Sequence, residues 1–500
     1  MEETLPRLKR HLAEVYDLQV VAGLLEWDQQ TYMPAGGAAT RAEQTATIRK
    51  IAHEKLAADE TGEWLTTARA QLNGADPDGD DARLLKVATM DYERARAVPP
   101  ELVAEMSRAT ALAQEKWVAA RAQQNFALFL PYVEKVFELK RQVAACFKNQ
   151  ESPYDPLLDE YEPGMKTAQV RAIFAELKRE LVPLVHAIAE KPETDDAVLR
   201  LNYDERQQWD FSLRVIERFG FDMRRGRQDK AAHPFCSGFG VGDVRLTIRL
   251  NANYFNTALM SAMHEAGHGL YEQGFAPEHT RSPLTGGASL GLHESQSRLW
   301  ENLVGRSRGF WTYWYPQLQT TFPESLAQVK FDTFYRAINK VKPSFIRVEA
   351  DEVTYNLHTL LRFEIEVDML EGRIQAKDLP ALWNAKFKEY FGLDLPHDGV
   401  GVLQDVHWAL GLVGYFPTYT LGNLASVQLY EQAVRDVPSI PADIERGEFS
   451  GLLNWMRQNV HQPGRKFAPN ELLQRATGQP LTATPYLGYL KRKYGELYHL

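Results

Sequence analysis

Two cysteines in 500 residues, Cys146 and Cys236, are too few for a disulfide framework. Their scarcity points to a reducing, cytoplasmic setting. A positive balance is also missing. Lys and Arg number 57 against 66 Asp and Glu, for a net charge of −9. Backbone binding to nucleic acid needs a positive surface, so nucleic acid is excluded as the main partner. No apolar run approaches the roughly 20 residues that span a bilayer, which excludes a membrane partner. Met1 to Pro6 lacks a basic region followed by an apolar run, so no secretory signal is expected. There is no low-complexity linker, no internal repeat and no sharp domain boundary. The 44% apolar and 25% charged residues are those of a globular chain.

What is present is mostly helical pattern. Residues 1 to about 75 read as helix, turn, helix. Leu8, Leu12, Val15, Leu18 and Val21 form a core-facing stripe, and Pro34, Gly36 and Gly37 force the turn. Trp27 and Asp28 read as a packed corner. Residues 80 to 150 are helical, with a start at Pro99-Pro100. The acids between Asp155 and Gly164 read as solvated loop residues. Helices follow over Thr167–Glu190 and Arg206–Phe219, with Gly220 as a C-terminal cap. Val241 to Leu250 alternates apolar and polar residues and is the one clear strand. As an edge strand it could hold an extended peptide by backbone pairing.

A helix over about Asn256 to Gln273, stopped at Gly274, carries His264-Glu265-Ala266-Gly267-His268. His264 and His268 fall one turn apart on one face and can supply two ligands to one zinc ion. Glu265 lies about 100° round the helix and can reach a water on the metal. Ala262, Ala266, Gly267 and Gly269 allow another element to approach closely. A catalytic zinc needs a third protein ligand and an open position. Glu294, on a second helix starting near His293, is the best candidate. Glu301 and Glu278 are weaker, and Glu272 reads as supporting or surface. Cobalt could replace zinc on such ligands.

Glu265 would take a proton from the attacking water and return it to the leaving amine. An oxyanion donor is open among Tyr415, Tyr419, His358 and His407. A terminal carboxylate would need an arginine fork, with Arg245, Arg347 and Arg362 available. Asp351, Tyr355, His358 and Arg362 share one helical face, which reads as lining solvent or a cleft. Residues 397 to 424, with His407, Trp408, Tyr415 and Tyr419, read as a loop region.

These residues resemble the zinc metallocarboxypeptidases typified by carboxypeptidase Taq, over nearly the whole chain. The matching motifs are His233-Pro234-Phe235, Asp243 to Thr247, His264 to His268, His293 to Gln296, Ile346 to Asp351 and Gly401 to Trp408. The resemblance implies a large, mostly α, zinc-peptidase fold of the neurolysin and angiotensin-converting-enzyme type. Its deep central groove would have a small β-sheet beside the His-Glu-x-x-His helix. It implies one catalytic domain over 1–500, with room for two helical lobes, and a homodimer. It implies zinc ligands His264, His268 and Glu294, Glu265 as base, and Arg347, with Arg245 nearby, for the substrate carboxylate. The activity implied is broad removal of single residues from peptides with a free C-terminus; an oligoendopeptidase on the same fold is the alternative.

Overall fold

The first helix, Thr4–Thr31, turns through Tyr32 to Gly37 and runs back as Ala38–Ala57. Leu8, Leu12 and Val15 are buried as the stripe predicts, and Leu8 and Leu12 pack with Leu65, Leu84 and Leu284. The stripe then continues through Ala22, while Val21 is exposed. Seven residues beyond Val15 return to the same face and six do not. This computed structural model describes residues 4–148 and 150–500. Mostly helical, it has one three-stranded sheet among the described residues. None of its helices is long and apolar enough to cross a membrane. The chain divides into two compact units.

The first unit comprises Met1–Arg96, Asp196–Ile338 and Leu429–Pro480. It holds strands β1 (Gly226–Lys230), β2 (Cys236–Gly238) and β3 (Val244–Ile248) in the order β1-β3-β2. β3 pairs parallel with β1 and antiparallel with β2. The strand expected over 241–250 is therefore the central strand, and the open edges belong to β1 and β2. Gly240, at φ +123°, makes the turn into β3. Helix Glu205–Phe219 ends at Gly220 in the left-handed region, as its sequence predicts.

Helix Asn256–Glu272 packs on β3 through a glycine. A Cβ at Gly269 would lie 2.9 Å from Leu246 and 2.7 Å from Phe221. The next helix, Leu290–Arg298, begins three residues before the expected His293, because the Ser289 side chain accepts from Leu292 N at 3.0 Å. It runs on into a wider π-helical turn, Leu299–Val304, a form that recurs at functional sites. Trp300 in that turn is fully buried, with its ring 4.6 Å from Phe219 and 6.1 Å from Phe449. Removing such an aromatic from a core costs about 3–5 kcal/mol.

The second unit comprises Ala97–Asp195, Asn339–Gln428 and Leu481–Leu500. Its helix Tyr355–Leu370 is buried along nearly its whole length. Tyr355, His358 and Arg362 therefore do not line solvent, and Asp351 precedes the helix and accepts from Val353 N and Thr354 N. The acids of the 155–164 segment are also not all solvated. Asp155 and Glu162 are buried, and Asp155 accepts from Thr167 N at 2.8 Å, closing the start of helix Thr167–Ala189. The loop expected over 397–424 ends at Phe416, so Tyr419 stands on helix Pro417–Asp436. Glu352 anchors the terminal helix Thr484–Tyr498 by accepting from Tyr489, Lys493 and Tyr494 at 2.7–2.8 Å.

Candidate metal centre

The close approach of two helices builds the site in the first unit. A Cβ on Gly267 would lie 2.5 Å from Ser297 Cα and from the Gln296 carbonyl oxygen, so only glycine permits this crossing. The crossing sets Glu294 against the two histidines. Glu294 Oε2 lies 3.7 Å from His264 Nε2 and 3.5 Å from His268 Nε2. His264, His268 and Glu294 each offer one ligand atom, and these lie within 4.8 Å of one another. Two ligands on a tetrahedral zinc, each about 2.0–2.1 Å from it, stand roughly 3.4 Å apart. The residues present therefore fit such an ion in donor type and spacing.

Hydrogen bonds behind the ligands fix which nitrogens point inward. His264 Nδ1 is 2.9 Å from Glu301 Oε2. His268 Nδ1 is 2.6 Å from His293 Nδ1, and His293 Nε2 is 2.8 Å from Glu272 Oε1. One proton placement in which all three imidazoles are neutral satisfies the set. Glu301 accepts from His264 Nδ1–H, Glu272 accepts from His293 Nε2–H, and His293 Nδ1 accepts from His268 Nδ1–H. Both ligand histidines are then neutral with a lone pair on Nε2, the form that binds metal. Arg298 Nε donates to Glu294 Oε1 at 2.7 Å, and its NH1 donates to Glu301 Oε2 at 3.0 Å. Ser297 Oγ donates to Glu294 Oε2 at 3.2 Å.

These contacts settle the electrostatics. Burial would raise Glu294, but Arg298 and the two histidines together hold its carboxyl well below the usual range. Glu301 behaves likewise: against burial, Arg298 and His264 hold it at about 2. Burial pushes Glu265 up to about 7, against the opposing effect of His264. A carboxyl poised there can both accept and release a proton near neutral pH. Burial also lowers His268, to about 3. Glu301 is thus a support for His264, Glu272 is a support through His293, and Glu278 is exposed.

The second unit gathers Arg347, Arg362, His407 and Tyr419 around Asp405. Arg347 Nε and NH2 donate to Asp405 Oδ1 at 3.1 and 2.9 Å, and Arg362 Nε donates to Oδ2 at 2.6 Å. Arg347 NH1 donates to Tyr355 OH at 2.8 Å, and its guanidinium lies 4.9 Å from the Tyr419 ring. His407 Nε2 is 3.3 Å from Tyr419 OH, and burial lowers the His407 imidazole to about 4. The Tyr415 ring is 5.3 Å from Tyr419. Two guanidiniums on one carboxylate leave a buried net positive charge, an environment that favours an anion. His358 is instead a core histidine, fully buried with its ring 4.5 Å from Phe391. Arg245 belongs to the first unit. Its fork is held by Asp243 at 2.8 Å and stacked 4.3 Å over Trp27, which is buried in the packed corner its sequence suggests.

Sequence reasoning passed over His293, Arg298 and Asp405. His293 and Asp405 act through partners whose approach depends on the fold: Glu272 is 21 residues before His293, and Arg347 is 58 before Asp405. Arg298 meets Glu294 and Glu301 four residues before and three after it on the same helical run, a spacing the sequence does display.

A candidate metal-ligand triad on a two-helix crossing, with a carboxylate next to its first histidine, is the pattern of helical metallopeptidases. A family model described as carboxypeptidase Taq (M32) metallopeptidase matches residues 7–494, and the chain belongs to that family. It is 41% identical over 493 residues to thermostable carboxypeptidase 1 of Thermus thermophilus, covering 96% of each chain. It is 36% identical over 478 residues to carboxypeptidase 1 of Bacillus subtilis, covering 95% of each. The crystal structure of M32 carboxypeptidase from Deinococcus radiodurans R1 superposes with a TM-score of 0.97, at 43% identity and 100% coverage of both chains. The chain is thus a metallocarboxypeptidase, a hydrolase of peptide substrates that uses a metal cofactor.

Proposed function

We propose that this chain is a zinc-dependent carboxypeptidase that removes single amino acids from free peptide C-termini with broad preference. One observation carries the reading: Glu294 Oε2 stands 3.5–3.7 Å from both Nε2 atoms, while each Nδ1 is occupied elsewhere. His264, His268 and Glu294 would hold the ion. When bound, zinc supplies a Lewis acid that acidifies a water and polarises the scissile carbonyl. Glu265 receives the proton of the attacking water on its carboxylate and delivers it to the leaving amine nitrogen. Glu301 and Glu272, the latter through His293, keep both ligand rings in the binding tautomer.

Arg347 is the proposed receiver of the substrate's terminal carboxylate, supported by the net positive charge around Asp405. Arg245 is a weaker choice, because its single guanidinium is balanced by Asp243, which accepts from its Nε and NH2, and so leaves no net positive charge. Tyr415, Tyr419 and His407 are the proposed oxyanion donors, and the core packing of His358 sets it aside. The reading takes residues 1–500 as one catalytic domain, active as a cytoplasmic homodimer, with cobalt as a possible substitute metal.

The test is hydrolysis of paired peptides with a free or an amidated C-terminus by protein of measured metal content. Release of the terminal residue from the free acid alone, at about one zinc per chain, supports the proposal. Internal cleavage of both peptides would replace it with the oligoendopeptidase reading.

A further inference from the structure

A cavity of about 390 Å³ lies in the first unit beside β2. Helix Thr4–Thr31 lines it with Tyr16, Gln19, Glu26 and Trp27, the strand region with Phe235, Ser237, Gly238 and Phe239, and the motif helix with Glu272. Glu272 joins it to the metal centre, since its Oε1 accepts from His293, whose Nδ1 meets the metal-ligand ring of His268. Gly238 makes room for that carboxylate: a Cβ there would lie 2.1 Å from Glu272 Oε2.

The edge of β2 beside the cavity is open. Phe235 O accepts from Thr247 N at 2.9 Å, and Phe239 N donates to Asp243 O at 2.8 Å. Both bonds point inward to the β3 side. Antiparallel alternation then turns the N–H and C=O of Cys236 and Gly238 outward, where an added strand can pair with them. Alternate side chains of that strand would fall on the face of Phe235, Ser237 and Phe239, all of which line the cavity.

From this geometry we infer that the cavity is a subsite for a substrate side chain on the N-terminal side of the scissile bond, and that it selects a cationic side chain, Lys or Arg. The inference rests on the carboxypeptidase reading, which leaves only one residue downstream of the cut. That one residue carries the terminal carboxylate, which the acids lining this cavity repel, so the cavity is assigned to a side chain upstream. The lining contains two carboxylates, Glu26 and Glu272, and no Lys, Arg or His. Arg49 reaches Glu26 from outside the lining, and Arg245, stacked over Trp27 and Phe239, is balanced by Asp243, so one cation faces two acids and a net negative charge remains. Such a pocket repels a terminal carboxylate and attracts an ammonium or guanidinium.

The experiment uses the full-length zinc-loaded protein and acetylated tetrapeptides ending in alanine with a free carboxylate. Lys, Gln or Glu is placed in turn at each upstream position. At one position Lys should give a KM roughly fivefold below that of Glu, with kcat little changed. Glu26→Lys should reverse that order, and Gln19→Lys should weaken it independently. Equal KM across every series, or variants that leave the order untouched, would overturn the subsite while the carboxypeptidase reading stands. Failure to release alanine from any peptide would instead sink that reading, and the subsite with it.

Discussion

His268 Nδ1 meets His293 Nδ1 at 2.6 Å, so one proposed ligand of the candidate metal centre is oriented by a second imidazole rather than directly by a carboxylate. The direct form appears across the site, where Glu301 faces His264. His293→Ala should leave His268 free to rotate and to change tautomer. Zinc affinity, measured against a competing chelator, should fall by about 10–100-fold. Glu272→Gln should give a smaller loss, because an amide still accepts from His293 Nε2–H. Unchanged affinity in both would remove the orienting role.

Gly267 supports the same centre through backbone clearance. Gly267→Ala places a methyl group 2.5 Å from Ser297 Cα, and backbone cannot yield as a flexible side chain can. Overpacking of this kind costs about 1–3 kcal/mol. Thermal denaturation should show a lower Tm, and the Glu294 helix should move away from the histidines with a matching loss of zinc affinity.

The cluster around Asp405 makes opposite demands on its members. Arg347→Ala leaves Arg362 and Asp405 as a balanced pair, so the fold should survive while KM for free-acid peptides rises more than tenfold. Asp405→Asn leaves two buried guanidiniums without their shared anion. That loss should cost about 3–5 kcal/mol, read as a fall in the urea midpoint. Equal stability of the two variants would contradict the shared-anion account.

Glu366 gives the fold a pH signature away from the metal. It accepts from Tyr154 OH and Trp408 Nε1 at 2.8 Å, yet burial still pushes it up to about 7. The folded protein therefore holds a proton that the unfolded chain releases near pH 4.5. Stability from this group is full below about 4.5 and declines as pH rises towards 7, by about 3 kcal/mol in all. Glu366→Gln should be the less stable protein at pH 5, since its NH2 cannot accept from the donors, Gly414 N among them, that the two carboxyl oxygens serve. The gap should narrow by pH 8, and a constant gap in urea denaturation would refute the assignment.

Much of this was legible because the local signals were strong. The helical stripe through Leu8, Leu12 and Val15, the cap at Gly220 and the spacing of His264 and His268 each need only a few neighbouring residues. Strand β1 gave no such signal. Its sequence Gly-Arg-Gln-Asp-Lys has no apolar alternation, and it buries Gln228 and Asp229. Without β1 and β2 in view, Val244 to Ile248 looked like an edge strand when it is central. Arg362 and His358 depart from their sequence expectation for a related reason. A polar helical face implies exposure only when no distant partner meets it, and Asp405 and Phe391 do so from 43 and 33 residues further along the chain.

The most direct test of the account is Glu265→Gln, with bound zinc and turnover measured on the same preparation. The three ligands remain, so the variant should hold one zinc per chain with unaltered affinity. The carboxylate proposed to move the proton is gone, so release of the C-terminal residue should fall by about 10²–10⁴-fold. Wild-type turnover with zinc in place would contradict the assignment of Glu265 as the base.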